Sequence, residues 1–161
     1  MNTAYIILGG NIGNRSENLR QARQFIEAEA GTISKASEIF ATAAWGNIHQ
    51  PDFYNQALCI HTMLGPQQLL KTLLDIEKKM GRIRGEQKWT ARTIDIDILF
   101  YNDAVISEPQ LSIPHPYIQE RRFVLRPLAQ IAGTFVHPVL HQTVNELLSR
   151  CPDSSDVQLL Q

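Results

Sequence analysis

Cysteine is almost missing from this chain. Only Cys59 and Cys151 occur in 161 residues, and neither lies near a set of metal-type ligands. A disulfide framework and a zinc site are therefore not expected. An excess of either charge is missing too. Lys plus Arg number 15 against 16 for Asp plus Glu, which leaves no electrostatic footprint for nucleic acid or a membrane surface. No apolar run is long enough to span a bilayer. The start, Met1-Asn2-Thr3-Ala4-Tyr5, lacks the basic and apolar regions of a signal peptide. A cytoplasmic protein is expected, in which the sequon Asn14-Arg15-Ser16 has no meaning. The phosphate-loop pattern G-x-x-x-x-G-K-S/T is absent, and Gly9-Gly10-Asn11-Ile12-Gly13 misses the dinucleotide fingerprint. No repeat, low-complexity tract or linker divides the sequence, so residues 1–161 are expected to form one domain with a sizeable core.

What is present is a mixture of strand and helix patterns. Tyr5–Leu8 reads as a buried first strand ending at Gly9-Gly10, where a tight turn into a helix is the favoured reading. Asn14 and Glu17 have capping-box spacing, and Leu19, Ala22, Phe25 and Ile26 continue it as a helix over 16–29. A second strand is expected over 32–43 and a third over 53–63. Pro66 opens a second helix, with Leu69, Leu70, Leu73, Ile76 and Met80 on one stripe and Gly81 at its C′ position. Asn102-Asp103 reads as a hairpin turn, with Ala104-Val105-Ile106 as the return strand. Residues 119–132 read as partly helical with an interruption near Pro127. A short helix over 144–150 precedes a polar tail. Together these predict an α+β sandwich around a mostly antiparallel sheet.

The segment Arg92-Thr93-Ile94-Asp95-Ile96-Asp97-Ile98-Leu99 is the most informative. Its period-two alternation predicts a strand with Ile94, Ile96 and Ile98 on one face and Asp95 and Asp97 on the other. The two acids are then roughly 7 Å apart at Cα. Like charges on one strand face repel, and Mg²⁺, which is held by one or two carboxylates with waters and phosphates, would compensate them. A solvated amphipathic strand gives the same pattern. Arg82, Arg84, Lys88 and Arg92 lie just before these acids. They either neutralise the acidic face by salt bridges or bind phosphate beside the metal, for which the planar guanidinium is suited. His115, stiffened between Pro114 and Pro116, either presents a donor to a phosphate or is a satisfied surface histidine, and Arg121 and Arg122 put two cations beside Phe123 at a helix edge, where arginines are usually solvated. Trp45, Phe53, Trp89 and Phe123 lie in or beside loops. They serve packing, or they stack on a planar ligand whose edge Asn55 would bond.

Taken together, these residues resemble the 6-hydroxymethyl-7,8-dihydropterin pyrophosphokinase family of folate biosynthesis. The resemblance runs through Leu8-Gly9-Gly10-Asn11 and Gln50-Pro51-Asp52-Phe53-Tyr54-Asn55-Gln56-Ala57. It continues in Glu77-x-x-x-Gly81-Arg82 and Trp89-x-x-Arg92-Thr93-Ile94-Asp95-Ile96-Asp97. It ends in Ile113-Pro114-His115-Pro116 and Arg121-x-Phe123-Val124-Leu125-x-Pro127-Leu128. It implies a three-layer α-β-α sandwich related to ferredoxin-like folds, and transfer of pyrophosphate from ATP to the pterin alcohol. It also implies two Mg²⁺ on Asp95 and Asp97, with Arg82 and Arg92 as catalytic residues. ATP, the co-substrate, would meet Arg82, Arg84, Arg92, Ile98, Ser112, His115 and Arg121. The pterin would meet Thr42, Ala44, Trp45, Gly46, Phe53, Asn55, Trp89 and Phe123. A monomer with small-molecule substrates only is expected. The sequence departs from the family at Thr90-Ala91, where Gly-Pro is common, and at Ala43-Ala44, where Pro-Pro is. Trp45 replaces an aliphatic residue, Phe53 a tyrosine and Gln110 an arginine. Two other readings compete: a Mg²⁺-dependent phosphohydrolase using the same acids, and a non-catalytic interaction module.

Overall fold

Three long strands, β1 (Asn2–Gly10), β4 (Phe53–Thr62) and β5 (Asp95–Tyr101), form the centre of the molecule. They belong to a computed structural model that describes residues 1–43, 51–81 and 93–160. β1 lies between the other two and pairs antiparallel with both. β3 (Phe40–Thr42) and β8 (Val157–Leu159) extend the sheet beyond β4, giving the order β5-β1-β4-β3-β8, while β2 (Thr32–Ala36) pairs with the other half of β4. β6 (Ile106–Glu108) and β7 (Leu111–Ile113) form a separate hairpin.

Alternation along the strands sends apolar side chains to both faces, so both need cover. On one face Ala4, Ile6, Leu8, Leu58, Ile60, Ile96 and Ile98 pack with α1 (Arg15–Glu29) and α2 (Pro66–Lys79), whose stripes are Leu19, Ala22, Ile26 and Leu69, Leu73, Ile76. On the other, Ile7, Ala57, Leu99 and Phe100 pack with α3 (Arg122–Ala132) and α4 (Val144–Ser149). The result is the expected α-β-α arrangement of three layers, with antiparallel pairing throughout the described sheet. No helix among the described residues is long and apolar enough to cross a membrane.

The local signals explain most boundaries. Asn14 caps α1 by accepting the Glu17 N–H at 3.1 Å, and Thr143 with Glu146 makes a full capping box on α4. Gly81, at φ +95°, follows α2 in the left-handed region that only glycine adopts cheaply.

Several expectations are corrected. The second strand, expected over 32–43, is two strands broken at Ser37–Ile39. The Ser37 N–H still donates to the Ala57 carbonyl at 2.8 Å, but the buried Ser37 hydroxyl accepts the Ala57 N–H at 2.9 Å and the Ser37 carbonyl takes the Gln56 side-chain amide at 2.6 Å, so side-chain bonds take over part of the ladder there. The turn at Asn102 is present, with φ +49°. Its return strand, however, starts at Ile106 and pairs with β7 rather than β5. α3 runs through Pro127 without interruption. The missing N–H costs a single bond, towards the Phe123 carbonyl, and the buried ring contributes to the core. The polar tail holds β8, whose Val157 and Leu159 sit opposite Thr42 and Phe40.

Candidate functional site

The site is assembled where β1 ends. On β5 a bulge separates two registers: Tyr5 is opposite Phe100 and Ile6 is opposite Ile98, which leaves Leu99 as the extra residue. Before the bulge Ile94, Ile96 and Ile98 enter the α1/α2 core, so Asp95 and Asp97 face the α3 side, as the alternation predicts. Asp97 is exposed and Asp95 half-buried.

Directly opposed residues share a face. Asp95 is opposite Gly9, Gly9 is opposite Asn55, and Asn55 is opposite Phe40. One row therefore crosses three strands from the carboxylate to the amide and reaches Phe40 on a fourth. Phe53 and Thr42 form the next pair on that face. Asn55, 4% exposed, donates from Nδ2 to Thr42 Oγ1 at 3.4 Å.

Gly9 is needed in this row because of close packing. A Cβ there would lie 2.5 Å from Asn55 Oδ1. Its role is thus to let the amide lean over β1, whereas the sequence favoured a tight turn. Both Gly9 and Gly10 belong to the strand.

The outer edge of β5 is fastened by Glu77 of α2. This carboxylate is 2% exposed and accepts the Ile96 N–H at 2.7 Å, at the residue between the two acids. Glu77 appeared in the sequence only as part of a motif. Its function depends on a contact between a helix and a strand edge, for which the sequence holds no periodic signal.

The loop after β7 brings the second group of candidates to the same strand. The His115 N–H donates to the Leu99 carbonyl at 3.0 Å, two residues beyond Asp97. His115 Nδ1 accepts the Tyr117 N–H at 3.2 Å, so the neutral ring carries its hydrogen on Nε2 and presents a donor there. Burial, and then the Arg121 charge, push the His115 pKa down to about 4, so the ring is neutral near pH 7. The Arg121 guanidinium lies 4.9 Å from the Tyr117 ring centre and 5.8 Å from that of Phe123. Among the described residues no carboxylate pairs with it, which leaves its planar fork of donors available to an anion. Phe123 is half-buried in the first turn of α3, the helix that covers this face.

Two of the expected nucleotide contacts stand apart. The Ile98 side chain is 5% exposed in the α1/α2 core, so its main chain is what it can offer. Ser112 is exposed on β7, opposite Ser107. Arg82, Arg84, Trp89 and Arg92, and Ala44, Trp45 and Gly46, lie outside the described residues.

Asp95 and Asp97 place two carboxylates on one strand face, and carboxylate oxygens are donors that a hard cation could use. No group of three or more His, Cys, Asp or Glu is gathered for a metal among the described residues.

Residues 5–133 match the profile of the 7,8-dihydro-6-hydroxymethylpterin-pyrophosphokinase family. The 2-amino-4-hydroxy-6-hydroxymethyldihydropteridine pyrophosphokinase of Synechocystis sp. is 42% identical over 148 residues, 91% of this chain and 75% of that protein. The Bacillus subtilis protein of the same name is 46% identical over 131 residues, 81% of this chain and 78% of that one. Among solved structures, the wild-type HPPK-DHPS of Plasmodium falciparum with SDX-DHP superposes with a TM-score of 0.76 at 20% identity. That likeness speaks to fold alone, and it covers 93% of this chain but only 43% of the longer Plasmodium chain.

Proposed function

We propose a site chemistry for a chain that belongs to the 7,8-dihydro-6-hydroxymethylpterin-pyrophosphokinase family. The protein transfers pyrophosphate from ATP to 6-hydroxymethyl-7,8-dihydropterin in folate biosynthesis, giving the pterin diphosphate and AMP. The hydroxymethyl oxygen attacks the β-phosphorus of ATP, the bond from that phosphorus to the α,β-bridging oxygen breaks, and the alcohol proton is lost. Such a transfer depends chiefly on positioning and on stabilising charge.

In our reading Asp95 and Asp97 hold two Mg²⁺. When bound, the metal supplies positive charge against the phosphate oxygens and favours ionisation of the alcohol. Asn55 bonds the edge of the pterin, Thr42 borders it, and Phe53 and Phe123 stack on its faces. His115 donates from Nε2 and Arg121 from its guanidinium to the nucleotide. Arg82 and Arg92 act on the triphosphate, with Arg84 as a further contact. Trp89, with Ala44, Trp45 and Gly46, completes the pterin pocket. Ile98 and Ser112 meet the nucleotide. The reading includes no second subunit and no nucleic acid, and places the enzyme in the cytoplasm.

One observation carries this reading: Asp95 and Asp97 share a sheet face with Gly9, Asn55 and Thr42. Calorimetry with a non-hydrolysable ATP analogue tests it. Nucleotide binding is expected to require Mg²⁺ and to improve pterin affinity. Asp97→Ala should weaken metal-dependent binding and lower kcat/KM by about a thousandfold, the scale of several kcal/mol of charge stabilisation. Near-normal kcat/KM in that variant would overturn the metal assignment.

A further inference from the structure

The loop between β1 and α1 reaches across to the start of β4 on the face away from the candidate site. Arg15, the first residue of α1, donates from Nη1 to the Asp52 carbonyl at 2.9 Å. Its guanidinium also lies 4.0 Å above the Tyr54 ring centre. Asn11, fully buried, donates from Nδ2 to the Pro51 carbonyl at 3.2 Å. Pro51, Asp52 and Tyr54 are thus all held from this loop. Phe53 is the residue between them. Strand alternation sends Tyr54 towards the α1/α2 core, which it borders, and Phe53 to the opposite face, beside Thr42. Among the described residues no carboxylate lies within ion-pair distance of Arg15. Its described contacts are therefore to the two neighbours of Phe53.

We propose that Arg15 is a positioning residue for the pterin: by gripping Asp52 and Tyr54 it fixes the backbone from which Phe53 presents its ring. Arg15 acts through the strand and does not touch the substrate. A guanidinium suits the task because one planar group can donate to a carbonyl and cover an aromatic face at once. The inference deepens the proposed function and rests on its reading of Phe53 as a stacking residue.

Steady-state kinetics on the full chain test it, with the KM for each substrate measured separately. Arg15→Ala is expected to raise the pterin KM about tenfold, the combined scale of one cation–π contact and one hydrogen bond. The KM for ATP should stay within about twofold, since the nucleotide contacts lie elsewhere. Tyr54→Leu, which leaves the bond to Asp52 in place, should give part of the same rise, and Arg15→Lys should recover part of the wild-type value. An unchanged pterin KM, or an equal rise in both KM values, overturns the proposal. If Arg15→Ala does not fold, Tyr54→Leu and Arg15→Lys decide by the same split. Phe53→Leu is measured alongside. If it leaves the pterin KM unchanged, the stacking reading fails and this inference falls with it. If it raises the pterin KM while the Arg15 and Tyr54 variants do not, this inference alone fails.

Discussion

The two faces of one sheet have been put to different uses by the same three strands. Facing α1 and α2, Ile6, Leu8, Leu58 and Ile60 are fully buried, and the cover continues to Ile96 and Ile98. Facing α3 and α4, the cover is equally tight over Ile7, Ala57 and Phe100. It then gives way to Asp95, Gly9, Asn55 and Thr42 at the strand ends. Alternation places Asp95, Asp97 and Gly9 each one position away from a core residue. The sealed face fixes the backbone, and the polar end of the other face inherits that rigidity, with its buried Asn55 and Thr42 bonded to each other. Glu77 shows the link most directly, because a helix on the sealed side caps the amide between the two acids.

This contrast can be broken by mutation. The largest effect on stability is expected from Leu58→Ala, which empties a fully buried position on the sealed face. It should cost about 2–5 kcal/mol in urea unfolding and leave both KM values unchanged. A comparable rise in KM would show that the two faces are not separable.

A somewhat smaller effect tests the loop beside β5. The pKa of His115 falls from 6.5 unfolded to about 4 folded, through burial and the Arg121 charge. Between these values the unfolded chain takes up a proton that the folded chain refuses, so stability falls as the pH drops through this window and levels off below it. The loss is at most about 3 kcal/mol. Urea unfolding at about pH 7 and about pH 4.5 should show it in the wild type and much less of it in His115→Gln. An equal acid loss in the variant would assign it to other groups.

What the sequence disclosed follows the same division. β5 was legible because three isoleucines and two aspartates alternate without a break, and α2 because its apolar stripe is bounded by Pro66 and Gly81. β8 was not, since Val157–Leu159 is too short to show a period and pairs with a strand more than a hundred residues earlier. The break at Ser37 depends on which backbone groups its hydroxyl meets, and no local pattern encodes that. Within the proposed site, Asp95, Asp97, Phe53, Asn55, His115 and Phe123 were singled out by their residue types. Gly9 and Arg15 were not, because the roles proposed for them depend on neighbours from other strands and loops.

Gly9 allows the smallest and sharpest test of the contrast. In an ordinary strand alanine is preferred to glycine, since glycine loses more conformational freedom on folding and packs nothing. At Gly9 the added methyl would lie 2.5 Å from Asn55 Oδ1, and the amide must move off β1 to make room, which disturbs its bond to Thr42. The gain in strand preference and the loss of one bond are each of order 1 kcal/mol, so Gly9→Ala should leave unfolding free energy nearly unchanged. The pterin KM should still rise about tenfold, because a displaced amide no longer matches the pterin edge proposed for it. A drop in stability without a change in KM would mean that Gly9 serves the core and that the polar end of the sheet begins further along the strand.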